Sequence, residues 1–222
     1  MRIALATILI LLSICSFSQD REREIQTRIG YGITAYRTDV KYTYSNDSTL
    51  VEETDTDSAV ASVIPIEFRY ELHPRFNLGL DMRFGKYLYD KNDDNTGKSN
   101  RFSSFGLGLE GVIVSKPAFR WYGGLTFSGI NLEIEDRVES GNVFYAEKFI
   151  WKGSGTRFYS GITWFILDGP VGLNFLFGYD TRSMNLKEYT RDGSSQDLTD
   201  VSGKLKVNGP EFIGGIVLRL KR

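Results

Sequence analysis

The chain has 222 residues, a formal net charge of −1, 14% aromatic residues and 23 glycines. A charge so close to zero gives no electrostatic basis for nucleic-acid binding. The single cysteine excludes an internal disulfide framework and a Cys-based metal site.

The N-terminus reads as an export signal. Arg2 supplies the positive start, Ile3 to Ile14 is an almost unbroken apolar run, and Ser16-Phe17-Ser18 places small residues for cleavage before Gln19. The run is too short to span a bilayer as an anchor. Cys15 would leave with the signal; lipid attachment there is disfavoured by the bulky Ile14 before it. The expected organisation is residues 1–18 as signal peptide and 19–222 as one outer-membrane domain. No later apolar stretch reaches the ~20 residues of a membrane helix. A membrane location therefore requires a closed barrel, in which every backbone polar group finds a partner.

From Glu24 onward the dominant period is two, the mark of strands with unlike faces. Strand by strand, one face carries Ile29, Tyr31 and Ile33; then Ile64, Ile66, Phe68, Tyr70 and Leu72; then Phe76, Leu78, Leu80, Met82 and Phe84. It continues with Phe105, Leu107, Leu109 and Ile113; Phe119, Trp121, Leu125 and Phe127; and Phe158, Ile162, Trp164 and Ile166. Val171, Leu173, Phe175, Phe177 and Tyr179, then Phe212, Ile216, Leu218 and Leu220, complete it. Three short connections hold Pro74, Pro117 and Pro170, and proline suits a tight turn because it fixes φ and ends ladder pairing. The other connections, near Ser45–Ser58, Asp90–Asn100, Glu135–Asn142 and Arg191–Asp200, are long and polar. This asymmetry predicts an all-β, eight-stranded antiparallel up-and-down transmembrane β-barrel. Some strands are expected to extend beyond the membrane, with a kink at Gly153–Gly155.

The opposite face fixes the class. It carries Arg28, Arg69, Arg83, Arg120, Arg157 and Arg219, matched by Glu67, Glu71, Asp81, Glu110, Asp180 and Glu211 among glycines. A narrow interior favours planar guanidinium groups paired with carboxylates, and an unpaired buried charge costs several kcal/mol. These twelve residues are the predicted lumen charge network. A soluble lipocalin-like barrel would turn the faces the other way. Aromatics on the apolar face fall into two bands, with Tyr70, Phe76, Phe119, Trp121 and Trp164 near the short turns and Phe84, Phe102, Phe127, Phe158 and Tyr179 towards the long loops. Such bands suit the two interfaces of a bilayer.

The signal before Gln19, the proline turns, the glycine-rich strands and the closing Gly214-Gly215-Ile216-Val217-Leu218-Arg219-Leu220 resemble small outer-membrane β-barrel domain proteins of Bacteroidota-type bacteria. The architecture is similar to the OmpA transmembrane domain and OmpX. The resemblance implies a place in the bacterial cell outer membrane. Many such chains end in an aromatic residue; this one ends Leu220-Lys221-Arg222.

No catalytic, cofactor or metal site is expected. Gly106-Leu107-Gly108-Leu109-Glu110-Gly111 matches the dinucleotide glycine pattern but lies inside a strand instead of opening a helix. Asp90, Asn92 and Asp94 are spaced like the start of a calcium loop, yet Arg101 stands where the bidentate Glu belongs. His73 is the sole histidine and sits in a proline turn. The first long loop is acidic, with Asp47, Glu52, Glu53, Asp55 and Asp57; it is a candidate contact for lipopolysaccharide, through bridging cations, or for a surface protein. The leading functional expectation is a charge-plugged barrel in outer-membrane lipid, acting on surface or envelope partners through its loops. A narrow pore and a soluble periplasmic ligand-binding barrel are the alternatives.

Overall fold

The computed structural model describes residues 23–46, 49–88, 99–140, 143–196, 198 and 201–221. The expected signal peptide, Asp47, Asp90, Asn92 and Asp94 lie outside the described residues. Among the described residues nine strands form one antiparallel sheet. They are β1 (Glu24–Asn46), β2 (Thr49–His73), β3 (Phe76–Leu88), β4 (Ser99–Ser115) and β5 (Phe119–Ser140), then β6 (Val143–Phe165), β7 (Val171–Arg191), β8 (Ser194–Ser195) and β9 (Val201–Lys221). Neighbours pair in chain order from β1 to β7; β7 then pairs with β9, and β9 returns to β1.

The expectation of eight strands is corrected to nine, in an uneven wall. The ninth strand arises in the polar connection after Arg191. Asp192 and Gly193 take φ of 48° and 76°, the left-handed pair that reverses a two-residue hairpin. Ser194 and Ser195 then pair back on Arg191 and Thr190. Strand lengths also differ widely, from 2 residues in β8 and 13 in β3 to 25 in β2.

Two other expected loops are largely strand. Thr49–Ser58 belongs to β2 and pairs with β1 as far as Asn46–Thr49. Glu135–Ser140 belongs to β5 and pairs with β6 as far as Ser140–Val143. Every residue from Glu52 to Ser58 is exposed, so that stretch loses the apolar alternation that marks a strand in sequence. The expected kink at Gly153–Gly155 is absent: Gly153 pairs with Met184 and Gly155 with Arg182 without interruption. The irregularity falls instead at Lys187, the extra residue between the Ile150–Glu188 and Trp151–Leu186 pairs. Pro65 and Pro210 each interrupt a ladder of β1, because proline has no N–H to give.

The lower wall carries its apolar side chains outward. Leu107, Phe127, Phe158, Trp164, Phe177 and Leu220 are each about 60% exposed. From Val171 to Tyr179 the strand advances roughly 26 Å at about 3.3 Å per residue. A tilt of about 40° converts this to roughly 20 Å of height, close to the ~25 Å apolar band of an outer-membrane barrel. Phe102 is a correction to the expected outer aromatic band. It lies an odd number of residues before Phe105, so it faces inward, and it is buried.

A charge placed on this belt is the direct test of its lipid contact. Leu107→Arg should destabilise folding into lipid vesicles by about 2–4 kcal/mol. Ser183→Arg, above the belt, should be near neutral in the same denaturant titration.

Candidate functional site

The period-two alternation that exposes the apolar belt drives the other set of side chains into the interior. Ten of them form one connected network of ion pairs: Arg28, Arg69, Arg83, Arg157 and Arg182 with Glu67, Asp81, Glu110, Asp180 and Glu211. Five positive and five negative groups give no formal net charge. No side chain among them is more than 5% exposed.

Arg28 grips Glu110 with two hydrogen bonds, of 2.6 and 2.9 Å. Arg69 Nη2 donates to Asp81 at 2.6 Å and to Glu67 at 3.2 Å. Arg157 spans Glu67 at 2.7 Å and Glu211 at 3.2 Å. Arg83 bridges Glu211 and Asp180, and Arg182 closes on Asp180 at 2.6 Å. Remaining acceptor capacity is met locally: Asn77 donates to Glu110 at 2.8 Å and Thr126 to Asp81 at 2.5 Å. Aromatic faces line the guanidinium planes. Arg28 lies 4.1 Å from the Tyr122 ring centre and Arg157 lies 4.6 Å from that of Tyr159, within cation–π range. Glycines create this room. A Cβ at Gly161 would strike the Tyr122 ring, and one at Gly124 would strike the Tyr159 ring.

Three of the twelve predicted residues stand apart from the network. Arg120 pairs with Glu24 at 2.7 Å near the short-turn end. Arg219 faces inward but donates to the turn carbonyls of Asp168 and Gly169, at 2.7 and 2.9 Å. Glu71 is half-buried and has no ion pair among the described residues. Conversely, Arg182 and Glu24 were not singled out from sequence. Both simply continue the inward register, two residues beyond Asp180 and four before Arg28.

Above the network the interior changes character. Tyr36, Tyr87, Phe102, Ile130, Leu132, Trp151, Met184, Leu205 and Val207 form a buried apolar cluster. Over the same stretch the outward residues become polar: Arg37 and Asp39 on β1, Lys152 and Ser154 on β6, Lys204 and Lys206 on β9. Both faces therefore invert at one height while the strands run on in phase. Below this level the pattern is that of a membrane barrel; above it, that of a sheet in water.

The remaining sequence candidates do not assemble a site. Gly106–Gly111 lies within β4, and the His73 Nδ1 accepts from the Arg75 amide at 3.3 Å within its turn. Glu52, Glu53, Asp55 and Asp57 are exposed on β2, not on a loop. Glu52 is paired with Lys41 of β1, and the Asp57 carboxylate accepts from the Ser58 amide at 2.7 Å. Among the described residues no group of three or more His, Cys, Asp or Glu could hold a metal ion.

No protein-family model matches the chain, and no curated protein matches it. Solved structures do. The outer membrane protein OprG from Pseudomonas aeruginosa aligns with a TM-score of 0.55 at 13% identity, covering 89% of this chain and 95% of that one. The outer membrane protease OmpT from Escherichia coli aligns at 0.49 and 10% identity, over 89% and 97% of the two chains. Ail, the attachment invasion locus protein of Yersinia pestis, aligns at 0.40 and 10%, over 90% and 100%.

Removing one partner from the network should cost more than removing a pair. Glu110→Leu leaves Arg28 buried without its main carboxylate and should destabilise the protein by about 3–5 kcal/mol. The double variant Arg28→Met/Glu110→Leu should recover part of that loss in the same unfolding assay. With an apolar belt outside, a neutralised charge network inside and this fold, the chain is a β-barrel protein of the outer membrane.

Proposed function

We propose that this protein is a sealed outer-membrane barrel that works as a structural and surface-interaction protein, not as a pore or an enzyme. The observation that carries this reading is the filling of the interior. A neutral network of buried ion pairs occupies the membrane level, and a buried apolar cluster sits directly above it. An ion crossing the first layer would have to break charge-assisted bonds. It would then lose its hydration in the second. The ligand-binding barrel in water is disfavoured by the same faces, since the charges are inside and the apolar belt is outside. The finer resemblance to small barrel-domain proteins of Bacteroidota-type bacteria agrees with a role in the envelope.

Interaction then belongs to the strands beyond the belt. β2 runs past the end of its pairing with β3 at Val60–Leu88. Thr49–Ala59 therefore has no partner strand on that side among the described residues. An open edge of this kind can accept an added strand. Its acidic side chains favour a basic partner.

Single-channel recording of the chain refolded in a planar bilayer tests the seal. The expected record is a folded, heat-modifiable protein with no discrete openings. Stable openings whose conductance shifts in Arg83→Ala would overturn the reading and make the lumen a pore.

A further inference from the structure

The β6–β7 turn is built against the preferences of its own residues. Leu167 and Asp168 take φ of 49° and 57°, in the left-handed region that a residue with a Cβ enters at a cost of about tenfold in its own equilibrium. Gly169, the one residue there that would enter it freely, has a φ of −77°. At the Asp192-Gly193 hairpin, by contrast, a glycine fills one of the two left-handed positions. The Leu167 side chain is 97% exposed, so its packing repays nothing. Within the turn the Gly169 amide donates to the Ile166 carbonyl at 2.8 Å. A conformation of this kind persists only where the surrounding structure over-determines it.

The groups that hold it belong to the last strand. Arg219 of β9 is buried and faces the lumen. Its Nη2 donates to the Asp168 and Gly169 carbonyls at 2.7 and 2.9 Å, and its Nη1 reaches the Pro117 carbonyl of the β4–β5 turn at 3.4 Å. The guanidinium lies 3.8 Å from the ring centre of Phe165. That ring is buried, and the Phe165 amide donates to the Ala118 carbonyl at 2.8 Å. The Arg219 amide donates to the Pro170 carbonyl at 2.6 Å. One side chain thus ties two turns together, through carbonyls that a charged donor binds more strongly than a neutral one. The contact is specific to register. A one-residue slip of β9 would turn Arg219 outward, and a two-residue slip would move it roughly 7 Å along the wall. Ladders on both sides set that register, with Gln26 of β1 opposite Arg219 and Val171 of β7 opposite Leu218. We propose that Arg219 is a latch on closure of the wall: when β9 docks in register between β7 and β1, its guanidinium captures the β6–β7 turn and fixes Leu167 and Asp168 in the left-handed form. The turn therefore reports that the final strand is seated. This device is independent of whether the lumen conducts.

The test follows amide hydrogen exchange by NMR in the full refolded chain in lipid nanodiscs. Arg219→Met should speed exchange of the Gly169 amide about tenfold or more, while the Leu176 amide in the β7 ladder keeps its wild-type rate. Adding Leu167→Gly and Asp168→Gly to that variant should slow the Gly169 exchange again, because glycines adopt the left-handed form without the latch. Heat-modifiable migration confirms that each variant is folded. Arg219→Gln, which keeps one donor group, replaces Arg219→Met if that variant does not fold. Unchanged Gly169 exchange on loss of the guanidinium would overturn the proposal. Exchange that the glycine pair fails to slow would also overturn it, because Arg219 would then not be what holds the left-handed form.

Discussion

Charges enclosed by a narrow wall must neutralise one another, and this protein satisfies that demand with one connected set of ion pairs. Glu67 touches Arg28, Arg69 and Arg157, and Glu211 touches Arg83 and Arg157. Removing any single member leaves a charge that neither lipid nor bulk water can solvate. The network also fixes register. A slip of one residue in any strand would turn its charges into the membrane and its leucines into the lumen. The glycines of the inward face follow from the same demand, because long arginines and tyrosine rings need the volume that side chains would otherwise fill.

The strands outlast the membrane, and above it the solvent on the two sides is exchanged. Outside is now water, and the inside is packed with apolar side chains. The sequence answers by swapping composition between faces without breaking phase. Arg182 gives way to Met184 on the inner face of β7 while Tyr179 gives way to Thr181 on its outer face. The protruding wall is thereby held by apolar packing, and the spanning wall by ion pairs. The apolar cluster lies over the charge network and excludes water from its upper side, which strengthens every pair beneath it.

At the changeover the outer surface is neither purely apolar nor purely solvated. Lys86 and Arg101 sit there side by side. The unequal strand lengths leave Thr49–Ala59 of β2 without a strand on one side among the described residues.

Much of this was legible in the chain itself. Strict alternation placed nearly every belt residue outside and most of the network inside, because a strand's period of two leaves each residue one choice of face. The same rule, followed to its end, would have found Arg182 and Glu24 and would have put Phe102 inside. The type of turn at Asp192-Gly193 was also available, as a two-residue hairpin signal, and it accounts for the ninth strand. What alternation could not reveal was a strand with water on both sides, as in Glu52–Ser58, where no apolar face exists to mark the period. Nor could it say which arginine meets which carboxylate. Arg28 and Glu110 are far apart in the chain, and Arg219 lies next to turn carbonyls that no local pattern foretells. The sequence by itself determined the faces, and with them the membrane. Tertiary structure decided the partners, because pairing depends on which strands the closing wall brings together.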